Sequence, residues 1–225
     1  MSAPGRKYNA CVSAPRYTLI DRLLAGTDRA LKSVLVGAAA PARPNPAVSV
    51  GLDSLNPAER HHSARLMRVN HAGEVAAQAL YHGQSLTART PGVRDTMRQS
   101  AAEENDHLAW CEQRLRELGA RKSLLNPLWY GGSFLIGAVA GLAGDRWSLG
   151  FVAETERQVV AHLQNHLRRL PESDARSRTI VREMQREEAA HGRRATTAGG
   201  AILPTPVRIA MQLSSRLMTR SAYWI

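Results

Sequence analysis

"AAEENDHLAW", Ala101 to Trp110, carries Glu103, Glu104, Asp106 and His107 inside a stretch whose apolar spacing is that of the buried stripe of a helix. Met97, Ala101, Glu104, Leu108, Cys111, Leu115 and Leu118 follow one another at alternating steps of four and three, and Gly119 supplies the stop. Glu104 stands where a leucine would ordinarily sit. A carboxylate buried without a partner in an apolar core is very costly, so the stretch asks for a cation.

The rest of the chain repeats the anomaly. A helix with Leu149, Val152, Glu156, Val159, Leu163, Leu167 and Leu170 on one face runs to Pro171, and its successor, opened by Ser173 or Asp174, carries Ile180, Val181, Met184, Glu188, His191 and Ala195 before Gly199 and Gly200. An earlier helix, capped by Asn56 ahead of Pro57 and running to about Arg89, sets Glu74 among Leu66, Asn70, Ala77 and Tyr81. Four long helices predict an all-α bundle in which each member offers an inward acid. The stripes hold no lysine or arginine to match, so the natural cation is a metal.

The spacing pairs the halves. Glu74 precedes Glu104-x-x-His107 by 30 residues, and Glu156 precedes Glu188-x-x-His191 by 32. A glutamate and a histidine three apart share one side of a helix and can offer an oxygen and an imidazole nitrogen to one ion. Two such helices, each partnered by a helix giving one carboxylate, make the four-glutamate, two-histidine set of ferritin-like di-iron and di-manganese proteins. Glu103 and Glu187 sit one residue, about 100°, off the stripes and are read as flanking the site or simply solvated. His162, Asn70, His71 and Tyr81 could support the site or be ordinary core residues; His61, His62, His82 and His166 are read as surface or boundary positions.

Composition agrees with a helical, reducing-compartment protein. Of 225 residues 44% are hydrophobic but only 5% aromatic, and two cysteines, Cys11 and Cys111, are too few for a disulfide framework or a thiolate cage. The start, "MSAPGRKYNACVSAPR", has no apolar signal core, from which cytoplasmic residence is expected. A net charge of +11 could meet nucleic acid or anionic lipid, but the arginines lack interleaved stacking aromatics, so no nucleic-acid partner is expected. Residues 1–50 divide into an amphipathic helix, Leu19 to Leu35, and the proline-rich linker "GAAAPARPNPAV", Gly37 to Val48; residues 51–225 form the bundle domain.

Between the halves lies "SLLNPLWYGGSFLIGAVAGLAG", Ser123 to Gly144, 22 positions without a charge. A single membrane crossing there would separate Glu74 and Glu104 from Glu156 and Glu188, and no common site could form. The segment is therefore a long apolar crossover that returns to the side it left, either dipping into a membrane surface or packed on the bundle. The tail "PVRIAMQLSSRLMTRSAYWI" sets Arg208, Arg216 and Arg220 beside an apolar face and ends in Tyr223, Trp224 and Ile225, which suits the membrane interface or docking on the bundle.

These motifs together, "NHAGE" at Asn70 to Glu74, "EENDH" at Glu103 to His107, the apolar crossover, "ETERQVVAH" at Glu154 to His162 and "REEAAH" at Arg186 to His191, resemble the demethoxyubiquinone hydroxylases of ubiquinone biosynthesis over roughly Asn56 to Ile225. The resemblance implies a ferritin-like fold, two iron ions, ferrous in the reduced form, and O2-dependent hydroxylation of the ring of a polyprenyl quinol. It implies ligation by Glu74, Glu104, His107, Glu156, Glu188 and His191, with Glu104 and Glu156 as candidate bridges and His162 in an outer supporting role. Leu163 follows His162 where animal members have a tyrosine, so no role of that tyrosine carries over. The implied setting is peripheral, on the cytoplasmic face of the cell membrane, without a spanning segment. A homo-oligomer or other ubiquinone-biosynthesis proteins are the candidate protein partners. Carboxylate and imidazole donors also accept manganese, and an iron store or a di-manganese catalase would share the bundle.

Overall fold

The computed structural model describes residues 37–225, so the amphipathic helix expected over Leu19 to Leu35 lies outside the described residues. Six helices make up the described chain: α1 (Pro57–Thr87), α2 (Pro91–Glu117), α3 (Asn126–Leu142), α4 (Asp145–Arg169), α5 (Ala175–Thr197) and α6 (Thr205–Trp224). Their ends follow from local chemistry. The Asn56 side chain accepts from the Glu59 amide and the Glu59 carboxylate accepts from the Asn56 amide, both at 3.0 Å, closing a capping box ahead of Pro57. At the end of α2, Gly119 turns with a φ of +70°, which lets the Ala120 amide reach back to Leu115. Pro171 forces Leu170 into extended backbone and ends α4, and Asp174 caps α5 by accepting from the Ser177 amide at 2.9 Å.

α1, α2, α4 and α5 form the ferritin-like bundle. α1 packs along α2 and α4 along α5, while α2 meets α5 and α1 meets α4 across the middle. The apolar segment between the halves, α3, lies along the outside of α1. Glycines make this close approach possible: a Cβ on Gly137 would stand 2.2 Å from the Leu80 carbonyl oxygen, and one on Gly83 2.1 Å from that of Phe134. Among the described residues, no helix is long and apolar enough to cross a membrane. α6 rests on α1 through its C-terminal end, where Ala222 is buried against Val69 and Ala72, and meets α4 where Arg208 pairs with Glu154 at 3.3 Å.

Two apolar clusters fill the bundle. One joins Leu66, Met67, Cys111, Leu115, Leu163, Ile180 and Met184; the other joins Tyr81, Met97, Ala101, Leu149, Val152 and Ala195. Between them in every helix falls the acid-bearing turn. Apolar walls above and below thus enclose one polar layer.

The proline-rich stretch read as a linker behaves otherwise. Residues 37–50 form a strap on the bundle, in which the amides of Ala38, Ala39 and Ala42 donate to Glu112, Asn105 and Asp106 of α2. Prolines keep it from becoming a helix, and its backbone groups are satisfied by side chains of α2 instead.

Candidate metal centre

Glu74 of α1, Glu104 and His107 of α2, Glu156 of α4, and Glu188 and His191 of α5 meet in the polar layer, and none is more than 4% exposed. Their donor atoms fall into two groups in which every atom is within 4.8 Å of the others: Glu74, Glu104, His107 and Glu188, and Glu104, Glu156, Glu188 and His191. Glu104 and Glu188 belong to both. Glu104 approaches His107 Nδ1 with one oxygen (3.1 Å) and His191 Nδ1 with the other (3.3 Å); Glu188 does the same at 2.9 and 3.1 Å.

The carboxylates that face both histidines are therefore those of the two Glu-x-x-His turns. Glu156, taken above as a candidate bridge, lies in the second group alone, where its carboxylate accepts a hydrogen bond from the Tyr81 hydroxyl. The physical reason is the motif itself, since three residues along a helix keep each such glutamate beside its own histidine while α2 and α5 face each other. Glu74 and Glu156, on the flanking helices, reach only one group each.

Glu103 and Glu187 hold the outer edges of the imidazoles, and they do so crosswise. His107 Nε2–H donates to Glu187 of α5 at 2.7 Å, and His191 Nε2–H donates to Glu103 of α2 at 2.8 Å. Burial opposes ionisation of Glu187, but His107 and Arg43 outweigh it and hold the carboxyl well below its usual range; at Glu103 burial is likewise outweighed, by Arg194, Gln99 and His191, which lower it. An ionised acceptor on Nε2 keeps a proton there and leaves Nδ1 as the inward donor.

Inside the layer the electrostatics are those of a site built around cations. Burial and neighbouring carboxylates push Glu74 and Glu156 well above the carboxylate range. Burial pushes Glu104 the same way, yet contacts with His107 and His191 hold it far below. His107 is raised well above its ordinary value, and His191 to about 11, because the surrounding glutamates outweigh burial. With protons as the only cations, the raised groups, Glu74, Glu156, His107 and His191, hold protons while Glu104 gives its proton up. Glu104 Oε1, both oxygens of Glu188 and His191 Nδ1 are buried without a hydrogen-bond partner. Four carboxylates and two imidazole Nδ1 atoms fit two divalent ions, whose four positive charges match four acids. Such ions would displace the stored protons.

Openings among the described residues approach the layer from the side of α4. A cavity of about 50 Å³ between α1, α4 and α6 is lined by Asn70, Glu74, Glu156, His162 and Met218 among others, and a groove of about 630 Å³ along α4, α5 and the start of α6 reaches Glu156 and Glu188. His162 touches this cavity without hydrogen-bonding any of the six; its Nε2 is buried and unpartnered, and burial with Arg169 holds it at about 4. His166, read above as a boundary residue, is buried instead: its Nδ1 meets Asn70 Oδ1 at 2.7 Å and its ring lies 3.9 Å from that of His162. The signal was present, because Glu156, Val159, Leu163, His166 and Leu170 keep the three-four step. His71 reaches Glu112 rather than the site, at 3.3 Å.

The profile of the family described as ubiquinone biosynthesis protein COQ7 matches residues 61–222. The chain is 56% identical over 209 residues to the 3-demethoxyubiquinol 3-hydroxylase of Nitrosomonas europaea, covering 92% of this chain and 99% of the relative. It is also 56% identical to the enzymes of the same description from Nitrosospira multiformis, over 206 residues, and Acinetobacter baumannii, over 209, with 99% of each relative covered.

Proposed function

The chain belongs to the COQ7 family of ubiquinone biosynthesis, and from that premise we propose that it hydroxylates the ring of a polyprenyl demethoxyubiquinol with dioxygen at two iron ions. Glu74, Glu104, His107, Glu156, Glu188 and His191 would hold them, Glu104 and Glu188 shared between the two. The observation that carries this reading is the pair of overlapping buried donor groups with Glu104 and Glu188 in common. Two bound ferrous ions would supply the two electrons with which one oxygen atom of dioxygen goes to the ring and the other leaves as water.

The chain's own residues supply position, dryness and a route. Glu103 and Glu187 keep the imidazoles turned Nδ1-inward. Tyr81 donates to Glu156 and so fixes the orientation of its carboxylate. The apolar clusters on either side exclude water from the layer. The groove along α4 and α5, about 630 Å³, has room for a quinol ring and reaches Glu156 and Glu188, whereas the cavity beside α6, about 50 Å³, is too small for one.

A membrane surface is the source from which such a substrate would come. Leu135, Val139 and Leu142 of α3 and Leu213, Leu217 and Trp224 of α6 are each between 58 and 66% exposed, and arginines 208, 216 and 220 accompany α6. Helices apolar on one face and basic beside it lie in lipid interfaces. We place the enzyme peripherally, on the cytoplasmic face of the cell membrane, with residues 51–225 as the hydroxylase domain.

Anaerobic loading of the full chain with iron, followed by demethoxyubiquinol and oxygen with mass detection of the product, tests the assignment. A gain of one oxygen atom in the quinol is expected. Two irons bound with no hydroxylated quinol would overturn it.

A further inference from the structure

Resting on the reading of a two-ion site, we propose that Arg43, in the strap outside the bundle, is a positioning residue that holds Glu187 against His107 and so fixes one of the two imidazole donors. Its guanidinium grips Glu187 with both terminal nitrogens, at 2.5 and 3.0 Å, while Nε binds Asp106 at 2.7 Å. The oxygen that takes the longer contact, Glu187 Oε2, is the one that accepts from His107 Nε2. A planar fork on one carboxylate fixes its plane, and the carboxylate in turn fixes the ring.

Comparison of the two halves shows why the arginine comes from so far away in sequence. On α5, Arg194 stands three residues after His191 and donates to Glu103, the carboxylate that holds His191. The residue three after His107 on α2 is Trp110, whose ring lies 5.3 Å from the imidazole and cannot serve Glu187. Arg43 fills that role from the strap, stacked 5.2 Å over Trp110, whose Nε1–H donates to the Arg43 carbonyl at 3.4 Å. Arg186 also reaches Glu187, at 3.2 Å, but it is exposed and its shorter contact is to Glu183.

The strap and the metal layer are thus joined at consecutive residues. Asn105 exchanges two hydrogen bonds with Ala39, Asp106 takes the Ala42 amide and Arg43, and His107 follows. Anaerobic titration of the metal-free full chain with Co²⁺, read by ligand-field absorption and calorimetry, tests the role without calling on turnover. The wild-type chain is expected to take up two equivalents. Arg43→Gln should weaken one of them by about tenfold and alter its absorption, the range found when partners behind a ligand are removed. Arg194→Gln should weaken the other. Arg43→Lys, which keeps the charge but not the fork, should lose less than the glutamine variant and covers the case in which that variant fails to fold. Asn105→Ala, which loosens the strap without touching Arg43, should leave both equivalents unchanged.

Both affinities within about twofold of wild type in Arg43→Gln, against the expected tenfold, would overturn the proposal, as would an equal loss in Asn105→Ala or a lysine variant that binds both equivalents as tightly as wild type. A wild-type chain that takes up no cobalt would instead overturn the two-ion reading itself.

Discussion

Gly137→Ala and Gly131→Ala, two substitutions in one helix, should move stability in opposite directions. Gly137 is buried where α3 crosses α1, and a Cβ there would stand 2.2 Å from the Leu80 carbonyl oxygen, 2.9 Å from its carbon and 3.0 Å from Leu80 Cα. Ordinary contact begins at 3.4 Å, and all three atoms are backbone, so no side chain can swing aside. α3 must retreat by roughly an ångström, at an overpacking cost of about 1–3 kcal/mol and toward the upper end because helix must move against helix. Alanine returns about 0.5–1 kcal/mol of helix propensity, leaving a net loss of about 2 kcal/mol. For a chain of this size that lowers Tm by roughly 4–8 °C. A Cβ on Gly131 meets nothing within 4 Å, so the propensity term acts alone and Tm should rise by about 1–4 °C. Circular dichroism melts of the two variants beside wild type decide it. A Gly137→Ala protein melting with or above wild type would refute the close contact of α1 and α3, and with it the docked crossover.

The site and the surface give further expectations. Glu188 belongs to both donor groups, so Glu188→Ala should lower bound iron per chain more than Glu74→Ala, which touches one; elemental analysis showing equal retention would sink its shared position. Burial, with Arg169 nearby, holds His162 at about 4, and burial, with His162, Arg169 and His62, holds His166 at about 2. The unfolded chain takes up protons that these folded histidines refuse, so this part of the stability is present above their ordinary value of 6.5 and lost as pH falls below it, down to about 4 for His162 and about 2 for His166. Urea unfolding across that window should show a shallower fall in His166→Asn than in wild type, and parallel curves would contradict it. Leu213→Ser with Leu217→Ser, both on the exposed face of α6, should reduce flotation with anionic phospholipid vesicles; undiminished flotation would count against the interfacial reading of that helix.

The bundle and its six inward donors were legible because both rest on helical period. A three-four stripe names the residues that share a face, and an acid on such a face is visible before any coordinate is known. What period does not convey is which neighbouring helix a residue meets. Glu103 and Glu187, one step off the stripe, read as flanking the site, but period did not tell that this step turns each toward the facing helix and onto the other helix's histidine. The strap was hidden for a different reason. Its contacts run from backbone amides to the side chains of Asn105, Asp106 and Glu112, and such pairing leaves no periodic trace in either partner.

The crosswise pairing also explains why an acid pair, rather than a single acid, opens each Glu-x-x-His turn. Within one turn, the second glutamate of the pair lies beside its own histidine on the inward face, and the first is displaced by about 100°. With α2 and α5 facing, that displacement brings Glu103 to His191 and Glu187 to His107, so each helix carries both an inner donor and the outer acceptor of its neighbour. Neither histidine is then fully oriented until both helices are in place. Formation of the α2–α5 contact and completion of the donor set are one event, and ions bound there would stabilise the whole bundle by mass action, not one helix pair alone.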